Sequence, residues 1–171
     1  MQEPITKWAS RLFYADQLDS PNNADWTVNA LAPSVADTTN AAISVRAFDD
    51  ATEEGVGFTL YVPAKAQHML ISFKSKPATV PGGAVSVALN LYKREIPDNL
   101  AVTAWSGATA LTNLAFIANL FFQYDSQAIS LSTLSITAGR LVQFELTRNG
   151  ASGGDTLVGD WHLAEFMVDF F

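Results

Sequence analysis

The run Val56-Gly57-Phe58-Thr59-Leu60-Tyr61-Val62 places Val56, Phe58, Leu60 and Val62 at every second position. Successive side chains of an extended strand point to opposite sides, so this period puts all four on one face. The same period returns along the chain. Met69, Ile71 and Phe73 alternate with Leu70, Ser72 and Lys74, and Val85, Val87, Leu89 and Leu91 with Ser86, Ala88, Asn90 and Tyr92. Val142, Phe144 and Leu146 oppose Gln143, Glu145 and Thr147, and Ala164, Phe166, Val168 and Phe170 oppose Glu165 and Asp169. With Ile43/Val45 and Trp26/Val28 these predict at least seven strands. Gly55, Pro63, Pro77, Pro81-Gly82-Gly83, Pro97-Asp98-Asn99, Gly139 and Asn149-Gly150 fall between the runs as turn formers. Covering one face of every strand without long helices predicts an all-β fold, an antiparallel β-sandwich of jelly-roll or Greek-key type.

Two stretches depart from the period. Leu111, Leu114, Ala115, Ala118, Phe121 and Phe122 follow helical spacing, while Phe116 and Ile117 break the polar face a helix would need. That segment is read as an irregular strand, with a short helix as the alternative. At Ile129, Leu131, Leu134 and Ile136 the apolar phase slips, which predicts a bulge or strand break at Ser132-Thr133. Residues 1–24 read as an N-terminal arm or first strand, with Ile5, Trp8, Leu12, Phe13 and Tyr14 among polar residues and a turn signal at Asp19–Asn23. Residues 25–171 read as the sandwich domain.

The 171 residues suit one domain, and 49% hydrophobic content with 19 aromatics excludes a disordered chain. No apolar run reaches about 18 residues, the length of a membrane-spanning helix, and Met1-Gln2-Glu3-Pro4 lacks the basic start of a signal peptide. Net charge is −7, split as −6 over residues 1–60, +3 over 61–148 and −4 over 149–171. An acidic chain without a basic block is poorly suited to nucleic acid, whose phosphates are held by Lys and Arg. Lys74/Lys76 and Lys93/Arg94 read as solvated strand faces or ends. The chain has no cysteine, which excludes disulfides and thiolate metal sites.

Motifs for catalysis are missing: there is no G-x-S-x-G, P-loop, H-E-x-x-H or dinucleotide fingerprint. The reading is of a non-enzyme with no catalytic residue, no cofactor and no metal. His68 and His162 read as strand-end residues. The loop Asp49-Asp50-Ala51-Thr52-Glu53-Glu54-Gly55 is rich enough in oxygen to suggest Ca²⁺, but lacks EF-hand spacing and equally suits an acidic hairpin. Trp105, Tyr92 and Trp161 are candidate platforms for stacking sugar rings, or else core or interface residues.

The C-terminal third carries a pattern of its own: the strand Gly139–Arg148, then Asp155-Thr156-Leu157-Val158-Gly159-Asp160-Trp161, then a closing aromatic-rich strand. This resembles small β-sandwich structural proteins of tailed bacteriophage virions, of capsid-decoration or tail-fibre type, over roughly residues 40–171. The resemblance implies a capsid decoration (cement) protein acting by subunit binding in the virion, assembled in the host cytoplasm. It implies a homotrimer whose partners are the major capsid protein or other virion proteins. Trp8, Leu12, Phe13, Tyr14 and Trp105 are then the candidate partner-binding residues. Arg148, Asp155, Thr156, Gly159 and Asp160 form a structural turn motif, in which the arginine bridges to an aspartate and holds the last two strands in register. The alternative is a tail- or fibre-associated carbohydrate-binding sandwich that engages host glycans. Neither reading calls for nucleic acid or membrane.

Overall fold

A computed structural model describes residues 9–14, 34–37, 44–96, 104–117 and 122–171. These hold twelve strands and no helix: β1 (Ala9–Tyr14), β2 (Ser34–Asp37), β3 (Ser44–Phe48), β4 (Glu54–Tyr61), β5 (His68–Pro77), β6 (Val85–Val87), β7 (Leu89–Ile96), β8 (Thr109–Ala110), β9 (Leu114–Phe116), β10 (Gln123–Ser130), β11 (Leu141–Arg148) and β12 (Trp161–Phe170). One sheet runs β10-β5-β12-β3-β2, with β1 also on β12; a second runs β4-β11-β7-β8; β6 and β9 form a small third. All pairings are antiparallel. Consecutive strands β3, β4 and β5 alternate between the two main sheets, while their partners β11 and β12 come from the far end of the sequence. This is the all-β sandwich, wired in the jelly-roll manner.

The period-two faces meet between the sheets. Phe58 of β4 stacks on Phe144 of β11 at 5.2 Å and reaches across to Phe166 of β12 at 4.7 Å. Met69, Ile71, Phe73, Val142, Leu146 and Val168 complete a single buried cluster. Each such side chain contributes roughly 1.5–3 kcal/mol by leaving water. Phe13 of β1 joins the cluster, 5.5 Å from Phe58 and 6.2 Å from Phe166.

The structure refines several expectations. The run Val85–Leu91 is two strands in two sheets, because at Ala88 the backbone turns aside to bond Asn149 N–H and the Asp155 carboxylate. The stretch from Leu111 onward contains the short strand β9 and follows directly on β8, so the irregular-strand reading holds for its described part; Ala118 and Phe121 lie outside the described residues. β10 ends at Ser130 and a turn follows, which accounts for the phase slip at Ser132-Thr133. The outer edge of β10 is held to the β8–β9 region by two glutamines: Gln127 clamps both backbone groups of Thr112 (2.8 and 2.6 Å), and Gln123 donates to the Ala115 carbonyl (2.7 Å). Trp26/Val28, the turns at Asp19–Asn23 and Pro97–Asn99, Ile5 and Trp8 lie outside the described residues.

Candidate ligand-binding face

The residues that alternate with the core of β11 point away from it and meet their neighbours in rows. Across β4, β11 and β7 the register aligns Thr59, Gln143 and Arg94; then Gly57, Glu145 and Tyr92; then Gly55, Thr147 and Asn90. Polar and aromatic groups therefore share the outer face of the four-stranded sheet. The glycines shape it. A Cβ on Gly55 would collide with the Glu145 carboxylate and come within 3.0 Å of the Thr147 methyl, so this side of β4 is a trough into which Glu145 folds. Glu53, just before β4, closes over the trough. Its Oε1 accepts hydrogen bonds from the Tyr92 hydroxyl (3.2 Å) and the Thr147 hydroxyl (2.9 Å). Burial first, then the Glu53 charge and the hydrogen bond to it, pushes the Tyr92 phenol up to about 12.

Trp105 reaches the same face because residues 104–110 lie along the far side of β7. Ser106 N–H donates to the Lys93 carbonyl (2.8 Å), Lys93 N–H donates to the Ser106 hydroxyl (3.1 Å), and Thr109–Ala110 pairs with Leu91 and Asn90. The indole lies against Arg94, whose guanidinium carbon is 4.8 Å from the ring centroid. Arg94 Nε donates to Gln143 Oε1 at 2.6 Å. Arg94 is thus wedged between an indole and an amide and is 8% exposed, which corrects the expectation of a solvated strand end. Packing this planar cation against the ring fixes both side chains.

A cavity of about 300 Å³ opens beside this pair, lined by Lys93, Arg94, Glu95, Ala104, Ser106, Ser135 and Thr137. Its far wall is the turn after β10, tied down by Lys93 Nζ to the Ser135 carbonyl (2.7 Å) and by Thr137 N–H to Glu95 Oε1 (2.6 Å). Ser135 adopts φ = 50°, in the left-handed region that non-glycine residues seldom enter. The face thus brings half-buried Trp105, Tyr92, Gln143 and Asn90 around the fixed Arg94, beside a polar cavity, while Glu145 and Thr147 lie fully buried beneath them.

The other candidate residues lie elsewhere. Trp161 is fully buried, packed on Phe48 (5.0 Å) and Phe73 (6.3 Å), and cannot be a platform. Phe13 belongs to the core of its own chain, Leu12 is 40% exposed on the outer face of the six-stranded sheet, and Trp8 and the side chain of Tyr14 lie outside what is described. Arg148 and Asp155 form an ion pair at 2.9 Å. Thr156 Oγ1 accepts from Ser86 N–H (2.8 Å), Gly159 N–H donates to Asp50 Oδ2 (2.6 Å) at φ = 86°, and the Asp160 carbonyl accepts from Ala78 N–H (2.9 Å). This turn ties β11 and β12 to three other segments. In the acidic loop Asp49, Asp50, Glu53 and Glu54 each accept from a backbone N–H or a hydroxyl. No group of three potential metal ligands converges among the described residues. His68 stacks on Phe171 at 5.6 Å. Burial and the nearby Lys76 charge lower the His162 pKa.

Glu53, Arg94, Gln143 and Thr147 were not anticipated as parts of one face: Glu53 was read within the acidic loop and Arg94 as a solvated strand end. A signal existed for three of them: Asn90, Tyr92 and Arg94 share one parity, as do Gln143, Glu145 and Thr147, and only cross-strand register was needed to join the two sets.

No protein-family model and no curated protein matches this chain. Among solved structures it is similar to the C-terminal CBM6 carbohydrate-binding module of LamC, a marine laminarinase from Zobellia galactanivorans. The TM-score is 0.52 at 10% identity, over 94% of this chain and 98% of that one. The CBM36-1 domain of a multidomain xylanase from the hindgut metagenome of Trinervitermes trinervoides matches at TM-score 0.49 and 8% identity, over 94% and 96% of the two chains. The enzymatically active domain of bacteriophage CBA120 tailspike protein 4 matches at 0.41 and 10%, over 99% of this chain and 20% of that one. The first of these shows a shared sandwich fold.

Proposed function

We propose that this chain is a non-catalytic glycan-binding β-sandwich module whose site is the outer face of the four-stranded sheet. The observation that carries the reading is the Trp105–Arg94–Gln143 row. It lies one position along the sheet from the Tyr92–Glu53–Thr147 cluster and beside the cavity of about 300 Å³. An indole fixed by a guanidinium offers a preorganised surface for the C–H face of a pyranose, and the partly exposed Gln143, Asn90 and Ser106 side chains can meet sugar hydroxyls. The similar fold of a module carried by a laminarinase makes neutral β-glucans the first ligands to try.

The test is affinity electrophoresis of the chain in gels containing laminarin, xylan or mannan. Retention by one of them, with Trp105→Ala weakening it by about ten-fold or more, is the expected result; the loss of one stacking contact is on the order of 1 kcal/mol. Free migration through every gel, or wild-type retention of the Trp105 variant, would reject this face as the site.

The resemblance to virion proteins bears on where the module is carried. A capsid-decoration role acting by subunit contacts is the second reading, and the exposed Leu12 on β1 is the observation in its favour. Light scattering after size exclusion tests it: a stable trimer supports subunit assembly, and a monomer removes the self-assembling form.

A further inference from the structure

The outer face of the six-stranded sheet, on the opposite side of the molecule, is independent of the glycan site just proposed. Phe122 and Tyr124 stand in a column at the start of β10, and Tyr124 is 69% exposed. Tyr124 faces Lys74 across the β10–β5 register, and continuing that register brings Phe122 beside Lys76. Lys74 Nζ lies 5.6 Å from the centre of the Tyr124 ring and 6.0 Å from that of Phe122; Lys76 Nζ lies 5.5 Å from the Phe122 ring. Lys74 is paired with Glu165 at 2.8 Å, whereas among the described residues Lys76 has no salt bridge. A hollow of about 60 Å³ opens beside Tyr124, lined by Leu12, Ser72, Phe73, Lys74, Glu165 and Met167. At its rim the hydroxyls of Ser72 and Ser126 are 2.8 Å apart.

A tyrosine ring this exposed gains nothing from burial in the isolated chain, and it stands beside partly exposed Leu12 and Met167. Two ammonium groups sit next to the rings, and one of them has no salt bridge among the described residues. A ligand that satisfies the patch has a flat C–H face for the ring, an anion for the lysines and hydroxyls for the serine pair. That is an acidic pyranose. The patch is on the scale of one or two sugar rings, well short of the roughly 800 Å² per partner of a stable protein interface. Two lysines, one already paired with Glu165 of β12, also fall short of the cation count of a nucleic-acid site.

We infer that this face is a second binding surface that takes a uronate-containing polysaccharide, with a sugar ring stacked on Tyr124 and its carboxylate facing Lys74 and Lys76. The chain as a whole carries −7 and repels polyanions, so retention by one reports a local site. The experiment is affinity electrophoresis of the full chain in gels containing polygalacturonate, with laminarin and duplex DNA gels in parallel. The expected result is retention by polygalacturonate that falls about ten-fold in affinity for Tyr124→Ala and for Lys76→Ala and is unchanged for Trp105→Ala. Both substituted residues are on the surface, and unchanged thermal melts of the variants verify that they fold. Absence of retention would overturn the inference, as would retention insensitive to Tyr124. Equal retention by DNA would also overturn it, because charge alone would then be responsible. Loss of laminarin binding in the Trp105 variant with polygalacturonate binding intact keeps the two sites distinct, so each reading fails separately.

Discussion

Arg148 and Asp155 form a bidentate ion pair from which water is excluded, the arginine side chain being 0% and the aspartate 1% exposed. Nε donates to Oδ2 at 3.0 Å and Nη2 to Oδ1 at 2.9 Å. The remaining donors go to the carbonyls of Phe48 (2.9 Å), Gly159 (2.7 Å) and Leu157 (2.6 Å). A guanidinium has five N–H donors, and here five bonds tie β11 to β3 and to the turn before β12. Asp155 in turn accepts from Ala88 N–H at the point where β6 gives way to β7.

Removing one member of such a pair leaves a buried charge without a partner, which costs about 3–5 kcal/mol. Arg148→Ala is therefore expected to lower the urea-unfolding free energy by that amount. Replacing the pair by Arg148→Met with Asp155→Leu will not restore it, because three carbonyls and the Ala88 N–H lose their partners. A double variant as stable as the parent would show that the ion pair, and not the hub, carries the energy.

The sandwich was legible because period-two alternation survives in β4, β5, β11 and β12, and those four strands build most of the core. Trp161, left open between platform and core, is a core residue for an identifiable reason. The pairing of β12 with β5 shifts between Leu163 and Glu165, a bulge that inserts Ala164. Trp161 and Leu163 therefore point inward together with Phe166, Val168 and Phe170, although the two sets differ in parity. One strand of constant phase sends Trp161 outward. The candidate face was half legible. Parity separates Gln143 and Arg94 from the core, but only the packing of residues 104–110 along β7 brings Trp105 to them, and loop-like sequence does not encode that contact locally.

Tyr92 should titrate late. Its phenol is held neutral by burial and by Glu53, so it should ionise at about 12 in the folded protein. Absorbance at alkaline pH measures this, and Tyr92→Phe should remove that step. The linkage follows in sign: a raised folded-state pKa favours the protonated form. The stabilisation is therefore complete below the ordinary value of 10 and is lost as pH rises from 10 to about 12. If the late step persists in the Phe variant, the Tyr92–Glu53 contact is absent in solution.

Gly55 and Glu145 should behave as a coupled pair. A methyl at position 55 has no room while the Glu145 carboxylate fills the trough, so Gly55→Ala should destabilise by about 1–3 kcal/mol through overpacking. Shortening the glutamate vacates the space. The double variant Gly55→Ala/Glu145→Ala should then lose less than the sum of the two single changes, a coupling of roughly 0.5–3 kcal/mol in a double-mutant cycle. Strict additivity would mean that the carboxylate lies elsewhere.

Glu54 offers a pH-dependent test of the acidic loop. Burial, the largest cause, and the charges of Asp49 and Asp160 raise its pKa above 4.5, against the opposing Asp49 N–H hydrogen bond and the Arg148 charge. The folded state therefore binds the Glu54 proton more tightly than the unfolded chain does. Its contribution is fully present below 4.5 and is lost as pH rises through the higher folded-state value. Glu54→Gln keeps an oxygen to accept from Asp49 N–H, which now donates to Oε2 at 2.8 Å, and removes the charge. The variant should be more stable than the parent at pH 7 and match it at pH 3.5, where both side chains are neutral. Urea midpoints at the two pH values measure the difference, and an equal offset at both would assign the effect to packing instead of charge.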